Sequence, residues 1–362
     1  MNNRFRPLGV GDPAPWFSCR TSTRERFAFD TVAGRYIVLA FLGAPGDPQA
    51  RALLEGVRAA RARFDDARLA FFGVSCAAQS DDPLLQEAIP GIRFFWDEAR
   101  EVAGLYGVVA EDGSYNGVTY VLDPGLRVIA SLPLNDGQFE RLAAVLDRLP
   151  PLPGAEVARA QAPVLVMPRV FEPALCRDLI ALYERLGGRD SGFMRDVGGK
   201  TKGVIDYSHK RRRDCEIEDP DLRRACMSRI HDRLAPEIEK AFQFRATRME
   251  RYIVSCYDAQ EEGHFRAHRD NTTKGTAHRR FAVSLFLNSG EYEGGFLRFP
   301  EYGSALYAAP TGGAVVFGCS MLHEATRVTR GKRYMFLPFL YDDAAALVRQ
   351  ENSKYLEPDS AT

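Results

Sequence analysis

The sequence predicts two unlike domains in tandem, a small α/β domain followed by a mainly-β domain with flanking helices. Three observations support this. Residues 1 to about 150 alternate short apolar runs with helical patterns, as chains that pack helices on a sheet do. Leu149-Pro150-Pro151-Leu152-Pro153-Gly154 then ends the last helical pattern with three prolines and a glycine. After residue 250 the apolar runs are short and are joined by glycine-containing turns.

In the first domain, residues 36 to 42 are apolar throughout and read as a buried strand, 48 to 64 as a helix and 69 to 74 as a second strand. Residues 118 to 122 and 127 to 131 read as a hairpin around Asp123-Pro124-Gly125. Phe139, Leu142, Val145, Leu146 and Leu149 recur at helical spacing behind Asp136, the expected N-cap. The expected division is residues 1–150, a connector over 151–163 and a second domain over 164–362. Val164-Leu165-Val166 opens that domain as a strand, and 173 to 186 follows as a helix closed by Gly187-Gly188.

At 362 residues and 45% apolar content the chain can bury substantial cores. Its formal charge is zero and its pI about 7.0, so nucleic acid is not expected as an electrostatically captured partner. The start, Met1 to Pro7, lacks the apolar stretch of a signal peptide, and no run is long enough to span a bilayer; a soluble, cytoplasmic protein without a membrane partner is expected. Seven cysteines without a C-x-x-C pair fit a reducing compartment. Cys256 and Cys319 fall in expected core strands and read as small buried hydrophobes.

The chemistry concentrates at His268-Arg269-Asp270, with His323 and Arg333 downstream. A strand turns alternate side chains to one face, so His268 and Asp270 can reach one ion together, and His323 can close the site from elsewhere in the sheet. Two imidazoles and one carboxylate make the facial triad of non-heme Fe(II) oxygenases, whereas a closed structural zinc site wants four ligands. Around them stand Tyr257 to Ala267, Phe281 to Asn288, Glu293-Gly294-Gly295-Phe296-Leu297-Arg298-Phe299 and the turn Pro310-Thr311-Gly312-Gly313 before an apolar strand.

In that order these segments resemble the 2-oxoglutarate and Fe(II)-dependent dioxygenases of the prolyl 4-hydroxylase-like group, from Val164 to Asp343. The resemblance implies a double-stranded β-helix, a jelly-roll of the cupin kind. It implies that His268, Asp270 and His323 bind Fe(II) and that Arg333 pairs with the distal carboxylate of 2-oxoglutarate, a task suited to a planar guanidinium. Tyr257 matches a tyrosine lining the co-substrate pocket, and Phe286 stands where some relatives carry a tyrosine. The implied reaction consumes O2 and 2-oxoglutarate, releases succinate and CO2, and hydroxylates a C–H bond of an amino-acid, peptidyl (a prolyl group included) or small-metabolite substrate, with ascorbate as an optional reductant. Asn271, Arg266 and Arg298 are candidates for substrate contact or for orienting the ligands, against a turn role for Asn271.

In the first domain Gly11-Asp12-Pro13-Ala14-Pro15-Trp16-Phe17, the strand into Phe41-Leu42, Val74-Ser75 and Tyr120-Val121-Leu122-Asp123 resemble the peroxiredoxin branch of the thioredoxin fold. Relatives carry a peroxide-reducing cysteine in a threonine-proline-x-cysteine turn at a helix start, where the helix lowers the thiol pKa. Here the turn is Asp47-Pro48-Gln49-Ala50, so the nucleophile is missing, and Cys19 and Cys76 read as structural. The expectation is a non-catalytic module that packs on the oxygenase, mediates a homodimer or helps to recognise substrate.

Three readings of the whole chain stand in order: an oxygenase, a binding or regulatory protein that has kept both folds, and a thiol-dependent peroxidase. His264 reads as a turn or substrate-side histidine, and His209, His231 and His278 as surface residues or neighbours of the ligands. The run His209-Lys210-Arg211-Arg212-Arg213-Asp214 reads as a solvated loop, with an anion-binding role as the alternative.

Overall fold

The computed structural model describes residues 7–43, 46–79, 81–157 and 160–357. Met1 to Arg6 and residues 158–159 of the expected connector lie outside the described residues. The chain divides into two compact units, Met1–Glu156 and Val157–Thr362.

The first unit is a five-stranded sheet in the spatial order Ile92–Trp96, Leu69–Ser75, Tyr36–Gly43, Val118–Leu122, Val128–Pro133. The first three strands run parallel and the last two antiparallel, the thioredoxin-like arrangement expected. Tyr36–Gly43 is buried along its whole length because both faces are covered. Ile37, Leu39 and Phe41 join one core, while Val38, Ala40 and Leu42 join another with Leu53, Leu54 and Val57 of the helix Pro48–Ala59.

Two expected elements differ. The first helix stops at Ala59 rather than residue 64, and its continuation is a 3-10 turn over Arg61–Arg63. Asp136 does not cap the later helix. Gly137, at φ +68°, precedes Gln138–Leu146, and Asp136 instead offers its carbonyl to the Arg141 guanidinium.

The second unit is a double-stranded β-helix. A larger sheet contains Ile253–Asp258, Lys332–Phe336, Phe281–Phe286 and Ala314–Gly318, and a smaller one runs in the order Lys210–Arg211, His264–His268, His323–Ala325, Leu297–Arg298, Leu306–Tyr307. One core joins the two sheets: Phe286, Phe317 and Met335 from the larger meet Phe265, Leu297 and Ala325 from the smaller. The other face of the larger sheet carries the helices. There Val283, Leu285 and Phe336 pack with Leu175, Leu179 and Leu182 of Pro173–Leu186 and with Cys226 and Ile238 of helices spanning Pro220–Arg229 and Ala235–Phe242.

Period-2 alternation along Phe281–Phe286 therefore sorts its side chains between two cores. Residues 293 to 299 form two short strand pieces, Glu293–Gly294 and Leu297–Arg298, in different sheets. At the end of the expected connector, the Ala162 amide donates to the Tyr307 hydroxyl.

Candidate metal centre

His268 ends the strand His264–His268 and lies directly opposite His323 of His323–Ala325, so antiparallel pairing sets the two rings side by side with centroids 4.3 Å apart. Asp270 is not on that strand, as expected from the sequence, but in the turn after it, where its amide donates to the Cys319 carbonyl at 2.9 Å. The turn delivers the carboxylate all the same. Asp270 Oδ1 lies 3.5 Å from His268 Nε2 and Oδ2 lies 3.3 Å from His323 Nε2, and the ligand atoms of all three residues lie within 4.8 Å of one another.

Each ring has its free nitrogen chosen for it. His268 Nδ1 donates to the Arg266 carbonyl at 2.7 Å and His323 Nδ1 to the Met321 carbonyl at 3.0 Å. A carbonyl only accepts, so both Nδ1 atoms carry hydrogen and both Nε2 lone pairs face Asp270 and can take an ion. Burial holds the His323 imidazole down at about 4 against the pull of Asp270, keeping it neutral as a ligand must be.

The triad opens on a cavity of about 1090 Å³ that is also lined by Arg333, Tyr257, Lys210, Arg212 and Arg251. Arg333 is 1% exposed, and its Nε and Nη2 have no hydrogen-bond partner. Its guanidinium carbon lies 5.0 Å from the Tyr257 ring and 5.2 Å from the Phe286 ring. Ring faces stabilise the cation but leave its N–H groups unmet, and an anion is what such a group lacks. The Tyr257 hydroxyl lies 3.5 Å from Arg212 Nη1.

Other sequence candidates fall elsewhere. Arg266 and Arg298 line a separate shallow depression with Glu262, His264 and Glu324, and Arg298 pairs with Glu324 at 2.6 Å. Arg266 serves the triad only through its backbone carbonyl. His264 bonds the Glu262 carbonyl and takes no place among the ligands. Asn271 is half-buried and is not among the cavity-lining residues. His278 is buried against Glu250, while His209 does reach the cavity, its ring 6.5 Å from that of His268.

The basic run is not a solvated loop. Lys210 and Arg212 are buried and Asp214 largely so, facing the cavity, while Arg211 and Arg213 turn outward to Glu262 and to Asp190 and Glu261. Strict alternation of inward and outward charges is a strand signal that sequence reasoning read only as composition. Ser191 and Arg251, which complete the buried network, carry no signal of their own.

Residues 252–341, which include His268, Asp270, His323 and Arg333, match the family model described as the 2OG-Fe(II) oxygenase superfamily. A PKHD-type hydroxylase of Acinetobacter baumannii is 30% identical over 173 residues, covering 44% of this chain and 71% of that protein. The chain belongs to the 2OG-Fe(II) oxygenase superfamily. This oxygenase is also similar, at 26% identity over 175 residues, to a multifunctional procollagen lysine hydroxylase and glycosyltransferase of Caenorhabditis elegans, covering 46% of this chain and 22% of that protein. Among solved structures, a Pseudomonas putida prolyl-4-hydroxylase matches with a TM-score of 0.36 at 18% identity, covering 50% of this chain and 94% of its own.

Residues 10–131 match the AhpC/TSA family model, so the oxygenase is fused to an AhpC/TSA unit. Mycobacterium bovis AhpC matches with a TM-score of 0.33 at 17% identity, over 40% of this chain and 98% of its own. In this unit the helix Pro48–Ala59 is capped by Asp47, whose side chain accepts from the Gln49 and Ala50 amides. Those amides are the donors a helix N-terminus would offer a thiolate. Burial pushes the Cys19 thiol up to about 11 and raises that of Cys76, opposite to what a nucleophile needs. Cys256 and Cys319 are buried too, and burial pushes Cys256 up to about 12. Among the described residues no helix is long and apolar enough to cross a membrane.

Proposed function

We propose that the oxygenase unit hydroxylates a C–H bond of an amino-acid, peptidyl or small-metabolite substrate, with Fe(II) held by His268, Asp270 and His323 and 2-oxoglutarate held by Arg333. The observation that carries this reading is the pairing of a preset triad with a buried guanidinium that has unmet donors in the same cavity. A buried cation without a partner is strongly unfavourable, and a carboxylate reaching Arg333 would satisfy it by two parallel hydrogen bonds. The Tyr257 and Phe286 rings lie beside that guanidinium and limit the space from which a carboxylate can reach it.

When bound together, Fe(II), 2-oxoglutarate and O2 supply the oxidising power, with succinate and CO2 leaving and one oxygen atom going to the substrate. The chain's part is positional. The Arg266 and Met321 carbonyls hold both imidazoles in the ligand tautomer, the turn at Asp270 presents the carboxylate, and the core rings Phe265, Phe317 and Phe299 around the histidines exclude water from one side of the centre. For Met1–Glu156 we propose a non-catalytic role, packing on the oxygenase, dimerisation or substrate recognition; Ala50 at the helix start supports the absence of thiol chemistry.

The test needs no substrate. Anaerobic addition of Fe(II) and then 2-oxoglutarate to the full-length protein is expected to produce a visible charge-transfer band that Asp270→Ala abolishes. A folded wild-type protein without the band would overturn the reading in favour of a binding protein.

A further inference from the structure

Lys210, Arg212 and Arg251 form a second cationic wall in the cavity, and the proposed chemistry leaves it without a task. Asp214 is the acid hydrogen-bonded to it and is saturated, while Asp270 of the triad acts on Lys210 and Arg251 from further off. It accepts from Ser191 Oγ at 2.5 Å, Ser255 Oγ at 2.6 Å, Arg212 Nη2 at 2.6 Å and Arg251 Nη2 at 3.2 Å. One carboxylate charge is thus shared between two guanidiniums. Lys210 Nζ reaches only neutral atoms, the Ser191 hydroxyl at 2.7 Å and the Gly192 carbonyl. Nε of Arg212, a residue 7% exposed, and Nε of Arg251 have no partner. Positive charge remains after every internal pairing, in a site where unpaired charge is expensive to keep.

The wall touches both halves of the centre. Lys210 Nζ lies 4.8 Å from the Phe265 ring, which also stacks on the His268 ring at 3.5 Å. Arg212 lies 5.8 Å from the Tyr257 ring, which Arg333 also approaches. A group bound there is one aromatic ring away from the metal ligands and one from Arg333. Burial and the neighbouring Arg212 push the Lys210 ammonium well down, which leaves the two guanidiniums as the wall's firmer cations.

Resting on the functional reading above, we infer that the substrate to be hydroxylated carries a carboxylate, which Arg212 and Arg251, with Lys210, bind while Arg333 holds 2-oxoglutarate. Guanidinium pairs suit such a group, and field complementarity would favour acids over their neutral analogues.

Trifluoroacetate is the probe, with trifluoroacetamide as its neutral match, each titrated by ¹⁹F NMR under argon into the full-length protein holding Fe(II) and saturating 2-oxoglutarate. Binding of the acid but not the amide is expected. Arg251→Gln removes one cation while keeping the Arg212–Asp214 pair, and should weaken the acid about tenfold with 2-oxoglutarate affinity unchanged within about twofold. Asp214→Asn adds a surplus charge and should tighten it, a reversal that a merely structural role would not give.

Equal binding of acid and amide, no response to either variant, or loss of 2-oxoglutarate affinity in Arg251→Gln overturns the inference. Failure of the visible band in the same wild-type sample would instead remove the functional reading, and the probe would still report on the wall. Competition against the probe separates sources. Displacement by free L-glutamate alone assigns a small acid, displacement by a blocked glutamate-containing pentapeptide alone assigns an acidic peptide, and displacement by neither overturns the proposal.

Discussion

Gly295 lies so close to Arg333 that a methyl group placed on its Cα would sit 2.6 Å from the Arg333 Cδ, with the Gly295 backbone at φ +62°. The glycine is therefore needed twice, for a left-handed backbone and for the path of the guanidinium stem. Gly295→Ala is expected to fold, to retain Fe(II) binding and to lose 2-oxoglutarate affinity by about tenfold, a shift of about 1.4 kcal/mol. Calorimetric titration of 2-oxoglutarate would check it; wild-type affinity in the variant would mean that Arg333 does not hold the co-substrate.

Substitution of the ligands should separate two affinities. His268→Ala, Asp270→Ala and His323→Ala are each expected to weaken Fe(II) binding by at least about tenfold, because each removes one of three protein donors. Arg333→Ala should leave metal affinity near wild type and chiefly weaken 2-oxoglutarate. Equilibrium dialysis against Fe(II), beside the visible band, reads both, and metal loss in Arg333→Ala would contradict the division of labour.

Glu250 gives a prediction about acid stability. Burial opposes its ionisation, but His278 at 3.0 Å and Arg279 at 2.7 Å hold its carboxyl down at about 2. A depressed folded pKa contributes stability above the ordinary value of 4.5, and that contribution is lost as pH falls towards 2. Glu250→Gln should therefore be less stable than wild type by about 3 kcal/mol at pH 7, and the gap should narrow between pH 4.5 and pH 2. Urea unfolding of both proteins at neutral and acid pH decides it, and a gap that does not change with pH would refute the assignment.

The AhpC/TSA unit should not consume peroxide. With Ala50 at the helix start and the Cys19 thiol at about 11, reductant-dependent loss of hydrogen peroxide should stay at the buffer rate. Turnover that disappears in Cys19→Ser or Cys76→Ser would restore the peroxidase reading.

Sequence alone pointed to the candidate metal centre because few residue types can bind an ion, and the convergence of His268, Asp270 and His323 on one cavity with Arg333 was legible from chemistry and order. Their support was less so. Asp270 was expected on a strand and lies in a turn, because the sheet ends at His268 and a carbonyl 49 residues on, at Cys319, holds the next segment in place. The thioredoxin-like sheet was legible from uninterrupted apolar runs. The cationic wall was hidden because its members come from distant segments, 191, 210 to 214 and 251, and because a run of adjacent basic residues looks solvated unless its alternation is followed.

Both histidines are held by carbonyls two residues before them, so metal uptake would require no search among side-chain conformations. A centre so prepared is expected to load quickly. Two imidazoles and a carboxylate with an open face accept most divalent first-row metals, and affinity rises from manganese through iron to copper whatever the protein prefers. Three borderline ligands with an open face, where any first-row ion can complete its own coordination with water, have little means of rejecting nickel or cobalt. Which metal the protein carries when isolated should therefore follow the supply in the cell that made it, and activity recovered from different hosts should vary with their iron.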